Sequence, residues 1–285
     1  MIIKSKTKFN DLHLVVLYIL TIFMFSGCQK VINVDLNEAA PRIVIEGLIT
    51  DRSGPYTVKI SKSGSYFNQP VLPPVSGAQV IITDNISSTD TLKETEPGIY
   101  ITSKIRGFPG RTYSLKVLSE NIEYTGTSIM LSHVNIDSLS LVKSQDQHFG
   151  FGGNDQNGKH FEIHCFFSDP LEKNFYRIMV YSKDTTQNDN YRLYDDQYAN
   201  GQYTELRVAH VTTADTYRIE LLSLDKQTFG YYYALEELLH TNPIFGSTPA
   251  NPDSNFTNGA LGYFGACAVS SKTIIITDFL LNKAK

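Results

Sequence analysis

The chain has 285 residues, 41% hydrophobic, 19% charged and 12% aromatic, with 25 Lys and Arg against 29 Asp and Glu. That balance excludes a basic nucleic-acid binder, which needs a Lys/Arg surplus against phosphate, and the apolar content is too high for a disordered chain. The apolar residues are too dispersed for a multi-span membrane protein, and the length suffices for one or two domains with cores of their own.

Lys4, Lys6 and Lys8 precede an apolar run from Leu14 to Phe25, followed by Ser26, Gly27 and Cys28. The run is shorter than the ~20 residues a membrane-spanning helix needs. A charged start, a short apolar segment and a small-small-Cys ending read as a lipoprotein signal peptide over 1–27. Its removal leaves Cys28 as the acylated first residue, with 28–39 as a tether to the membrane. The alternative is an ordinary signal peptide, or an anchoring helix, in which the Cys is incidental. Cleavage removes three Lys and Asp11, leaving 258 residues with a net charge of −6. Such a body has no electrostatic hold on anionic lipid, so attachment rests on acyl chains such as palmitate. Cys165 and Cys267 remain. They form either one disulfide or two small buried hydrophobes, and their strand settings favour the second.

From Ile43 onward, short β runs alternate with turn residues. Ile43, Ile45 and Leu48–Ile49 form the first, ended by Asp51 to Pro55, and Tyr56, Val58 and Ile60 alternate with polar neighbours in the period of a half-buried strand. The 68–74 loop (NQPVLPP) is too proline-rich for a central strand. Val80–Ile82, Gly98–Ile101, Tyr113–Val117 and Tyr124–Met130 continue the block, with 85–90 as a polar turn. This spacing predicts a β-sandwich domain over 40–131. A second block, 135–279, carries runs at 161–167, 175–181, 191–194, 206–211 and 217–222. It continues with a helix near 229–240 stopped by Asn242-Pro243, two strands at 261–269 and 273–277, and a tail at 280–285. The fold is therefore mainly β: an immunoglobulin- or prealbumin-like sandwich, then a β-rich domain with one short helix. The last 20 residues are expected to complete a sheet.

His160, Glu162 and His164 alternate along one strand and share a face, so two imidazoles flank a carboxylate that could meet a divalent metal. The competing reading is a solvent face opposite a core of Phe161, Ile163, Cys165 and Phe167, and the alternation favours it. The acidic turns at 184–190 and 195–197 lack a calcium-loop pattern, and the glycines from 150 to 158 do not open a helix as a phosphate loop does. No catalytic residue and no cofactor is assigned. Tyr231, Tyr232 and Tyr233 lie about 100° apart on a helix, so at least one must leave the core. With Tyr66 and Phe67 beside the proline loop, they are the candidate ligand or partner contacts.

Several stretches together carry a family resemblance: Val34 to Leu36, Ile43 to Asp51, Gly54 to Val58, Val75 to Val80, Gly98 to Tyr100, Gly110 to Tyr113, Asn251 to Asn255 and Gly259 to Phe264. The chain resembles the DUF4249 family of Bacteroidota lipoproteins, whose function is unknown. The Ser-Gly-Ala-x-Val and Gly-x-Tyr stretches are also similar to prealbumin-like and carboxypeptidase-regulatory-like sandwiches. The resemblance implies an outer-membrane lipoprotein, commonly encoded beside TonB-dependent receptors. Residues 29–33 lack the acidic residues that often direct surface export, so a surface-exposed and a periplasmic orientation both stay open. The expected function is a non-enzymatic accessory or ligand-binding partner of a TonB-dependent transporter, held to the membrane by lipid, with no nucleic-acid partner. The alternatives are a surface hydrolase of glycan or peptide and a purely structural envelope protein.

Overall fold

A computed structural model describes residues 40–64, 72–144, 161–183, 191–211, 214–240 and 251–283. In chain order the strands are β1 (Ile43–Thr50), β2 (Thr57–Lys62), β3 (Gln79–Asp84), β4 (Thr89–Thr91), β5 (Lys93–Glu96), β6 (Ile99–Ile101), β7 (Thr112–Ser119) and β8 (Ile122–Ile129). They continue with β9 (Ser138–Lys143), β10 (Phe161–Ser168), β11 (Phe175–Tyr181), β12 (Tyr191–Asp195), β13 (Tyr203–Val211), β14 (Thr216–Leu224) and β15 (Leu261–Ile275). Two helices, α1 (Lys226–His240) and α2 (Asp278–Lys283), complete the described elements.

Eight strands form one long sheet in the order β12-β11-β14-β15-β1-β2-β6-β5. Smaller sheets, β4-β3-β7-β8 and β13-β10-β9, pack against it to form two sandwiches. The first core gathers Ile45, Val58 and Tyr100 from the long sheet with Val80, Ile82, Leu115 and Val117 opposite. The second gathers Tyr176, Ile178, Ile219 and Leu221 with Phe161, Ile163, Cys165 and Phe167. These residues alternate along their strands because side chains two apart share a face.

The two cores meet on β15. Phe264, Ala266 and Ala268 enter the first and Ile274 packs on the second, so both small sheets cover one face of the long sheet. Cys267 and Val269 point the other way, into a third cluster formed with α1. The strand pairs in parallel with β1, from Val44↔Leu261 to Thr50↔Cys267, and antiparallel with β14, from Ser223↔Ala268 to Thr216↔Ile275. At Gly262 (φ +92°) a Cβ would come within 2.1 Å of the Ile45 carbonyl oxygen, so only glycine permits the approach to β1. The described residues from Pro41 onward make up one compact unit, in which the 40–131 and 135–279 blocks are joined through this strand.

Four details differ from expectation. The predicted pair of strands at 261–269 and 273–277 is one strand, because Ser270, Ser271 and Lys272 pair with Leu221, Glu220 and Ile219 instead of turning. The helix begins at Lys226, three residues early, because Asp225 caps it: its Oδ1 accepts the Thr228 amide at 2.7 Å. Residues 278–283 form a helix, with the Thr277 hydroxyl accepting the Leu280 amide. Within 85–90, Thr89 already belongs to β4, and the turn closes on the Asp84 carboxylate, which accepts the amides of Ile86 and Ser88. Both Cys165 and Cys267 are free and buried, and burial pushes each thiol up to about 12. Asn242-Pro243 lies outside the described residues.

Candidate functional site

The face of the long sheet opposite the two cores bears different side chains. On β1, Ile45 and Ile49 turn inward, leaving Glu46 and Leu48 outside, and Thr57 and Lys59 alternate likewise with Val58 and Ile60 on β2. Lys59, Glu46 and Tyr263 stand in register across β2, β1 and β15. On β11, Tyr176 and Ile178 belong to the second core, so Arg177 projects outward. Helix α1 lies over this face through Phe229, Tyr231 and Tyr232.

Between helix and sheet runs an open cleft of about 540 Å³, lined by Glu46, Leu48, Lys59, Arg177, Tyr191, Tyr231, Tyr232, Leu235, Leu239 and Tyr263 among others. Its aromatic wall is continuous. The Tyr263 ring centroid lies 4.8 Å from that of Tyr231 and 5.0 Å from that of Tyr232, and the Tyr232 hydroxyl donates to the Tyr263 hydroxyl at 2.5 Å. The Arg177 guanidinium carbon sits 4.0 Å from the Tyr232 centroid and 4.3 Å from that of Tyr191, within cation–π range. Its Nε is buried with no hydrogen-bond partner.

Burial pushes the Tyr231 phenol up to about 12, with the Glu46 charge adding to the effect. Tyr232 and Tyr263 are also raised by burial. These phenols stay protonated at neutral pH and serve as hydrogen-bonding groups on apolar rings, not as bases. The arrangement therefore suits binding better than proton transfer.

The expected contacts divide. Tyr231 and Tyr232 line the cleft, with Tyr232 only 5% exposed. Tyr233 is 52% exposed and stacks on Phe229, away from the cleft. Leu239, at the mouth of the cleft, is 73% exposed, and the buried stripe of the helix is centred on Thr228 and Tyr232. Tyr66, Phe67, Cys28 and His160 lie outside the described residues. Sequence reasoning missed Arg177, although a lone arginine within the apolar run FYRIMVY was a signal. It also gave no role to Glu46, Lys59 or Tyr191, and recorded Tyr263 only within a family pattern.

Glu162 and His164 do meet. The expected core of Phe161, Ile163, Cys165 and Phe167 is buried behind them. Burial works against the Glu162 charge, but hydrogen bonds from Ser144 and His164 and the nearby Arg207 hold its pKa below the ordinary carboxylate value. His164 Nε2 lies 3.3 Å from Glu162, and its Nδ1 lies 2.6 Å from Glu205. With a carboxylate at each nitrogen, the ring presents no free nitrogen to a nucleophile. Among the described residues, no group of three or more His, Cys, Asp or Glu is placed to hold a metal ion.

The family described as "Domain of unknown function (DUF4249)" matches residues 29–273, and the chain belongs to it. No curated protein matches the sequence. Among solved structures, the chain is similar to a tetra-tandem repeat in the extending region of a large adhesion protein, at 9% identity and a TM-score of 0.19. That match covers 82% of this chain and 49% of the other, so the chain spans about half of that structure's length, and a likeness this slight carries no argument.

Proposed function

We propose that this DUF4249 protein is a lipid-anchored outer-membrane lipoprotein that performs no chemistry of its own and serves a TonB-dependent transporter as a ligand-binding accessory. One observation carries the binding role: a tyrosine-walled cleft into which an arginine is presented without a hydrogen-bond partner for its Nε. Concave sites lined by aromatic rings, with a few polar groups converging on them, are the usual form of small-molecule sites. The neutral phenols speak for holding a ligand over transforming it. Support for the anchor comes from the sequence, where Lys4, Lys6 and Lys8, the 14–25 apolar run and Ser26-Gly27 lead to Cys28. No helix among the described residues is long and apolar enough to cross a membrane.

Crosslinking in intact cells, followed by detergent extraction and affinity purification of the full chain, tests the partnership. The expected product is a crosslinked outer-membrane barrel transporter. A chain that is efficiently crosslinked to other envelope proteins but never to a barrel sinks the accessory role.

A further inference from the structure

We propose that the cleft binds a small organic carboxylate, its acid group paired with the Arg177 guanidinium and its apolar or aromatic body laid on the Tyr231 and Tyr263 rings. The inference rests on the binding role above and adds the chemistry of the ligand.

The other arginines set the standard. Arg52 and Arg218 bond to Glu220, Arg111 to Asp84 and Arg207 to Glu162, while Arg42 and Arg106 donate to the carbonyl oxygens of Gly259 and Asp51. Arg192 is exposed to solvent. Arg177 alone among the described arginines is half-buried with no hydrogen bond or ion pair, and its Nε is fully shielded. Stacking on Tyr191 and Tyr232 offsets part of the cost of burying its charge but satisfies none of its five N–H donors. With Nε shielded, an acceptor in the cleft meets the two terminal nitrogens, and a carboxylate matches their fork in two parallel hydrogen bonds.

Charge chooses among anions. Arg177, Lys59 and Glu46 are the charged residues lining the cleft, with Lys59 and Glu46 side by side on β2 and β1, leaving one net positive charge. That suits a monoanion, whereas a phosphate dianion would carry excess charge against Glu46. Shape chooses the body. The Tyr231 and Tyr263 rings, tilted by 34°, line the cleft together with Leu235 and Leu239, and about 540 Å³ admits a small molecule.

Because the chain has no tryptophan, an indole probe excited at wavelengths beyond the tyrosine band fluoresces without protein background. The test titrates the detergent-extracted full chain with indole-3-acetate and with indole-3-acetamide, which keeps the body and lacks the charge. Saturable binding of the acid is expected, with the amide at least about tenfold weaker. Arg177→Gln should bring the acid down to the level of the amide. Glu46→Gln, at an exposed position, should tighten the acid about threefold and leave the amide unchanged. Absence of saturable acid binding, equal binding of acid and amide, or an acid preference that survives Arg177→Gln overturns the proposal. So does displacement of the probe by inorganic phosphate at lower concentration than by benzoate. Should Arg177→Gln fail to fold, the exposed pair decides: Glu46→Gln must strengthen and Lys59→Gln must weaken the acid alone, and no change in either refutes it. Since the purified chain is tested alone, failure to crosslink a transporter leaves this result standing. Failure here would instead leave an accessory with a different ligand.

Discussion

The two faces of the long sheet come from the same alternating strands and are finished differently. On the inner face, Ile45, Val58, Phe264, Ile178, Ile219 and Leu221 are covered by two further sheets and lose essentially all contact with water. On the outer face, Glu46, Lys59, Arg177 and Tyr263 are covered in part by one helix. The reason is one of size. A sheet of eight strands is roughly 34 Å wide at about 4.8 Å per strand, and a helix is only about 10 Å across. Cover thus ends partway across the sheet, and the side chains at its margin are ones that tolerate a wet edge. Stability is concentrated on one face, and the tyrosine-walled cleft opens on the other.

Substitutions should separate the faces by size of effect. Phe264→Ala, at a fully buried inner position, should cost about 3–5 kcal/mol, read as a lower denaturation midpoint in urea. An outer-face change that cost as much would erase the distinction.

The inner side also contains a buried charge whose titration sharpens the contrast. Asp90, at the margin of the first core, accepts the amides of Ser103, Lys104 and Ile105 and the Ser103 hydroxyl at 2.7–3.0 Å. Burial opposes its ionisation, and these hydrogen bonds prevail and lower its pKa. A carboxylate depressed in the folded state adds stability above its unfolded pKa of about 3.9, and that contribution fades as pH falls through the folded value. Asp90→Asn should therefore lose about 1–3 kcal/mol at neutral pH and progressively less below about pH 4. A loss that stays constant down to pH 2 would remove the ionic account.

The smallest effects belong to the outer face. Tyr232→Phe removes the bond to the Tyr263 hydroxyl and should cost about 1 kcal/mol, and Tyr233→Ala, on the exposed flank, should stay within about 0.5 kcal/mol. Thermal melts of the pair measure both, and a larger loss at Tyr233 would mean that the helix is held by its outer side.

How far the sequence could be read follows the same division. Core residues alternate, as in Tyr113, Leu115 and Val117 or in Phe161, Ile163, Cys165 and Phe167, so most strands and the sandwich class were legible, whereas the polar β4, β5 and β9 were not. The helix was found but begun late, since a polar start of Asp225 and Thr228 does not look apolar until its cap is seen. Ser270-Ser271-Lys272 looked like a break because the β14 residues that pair with them lie about 50 positions earlier. The cleft was legible only in fragments. Tyr231 and Tyr232 stood out by their run, but Arg177, Glu46 and Tyr263 are separated by most of the chain and meet only because β11, β14, β15 and β1 pair in succession.

That parallel pairing also sets the order in which the molecule can form. β15 lies between β14 and β1 and supplies side chains to both cores, so neither sandwich closes until residue 275 has left the ribosome. Contacts spanning more than 200 residues must be made before most of the apolar surface is rewarded, which makes folding slow and leaves the early strands exposed in the interval. An incomplete chain can close neither sandwich, and the native shape is deferred until the last strand arrives.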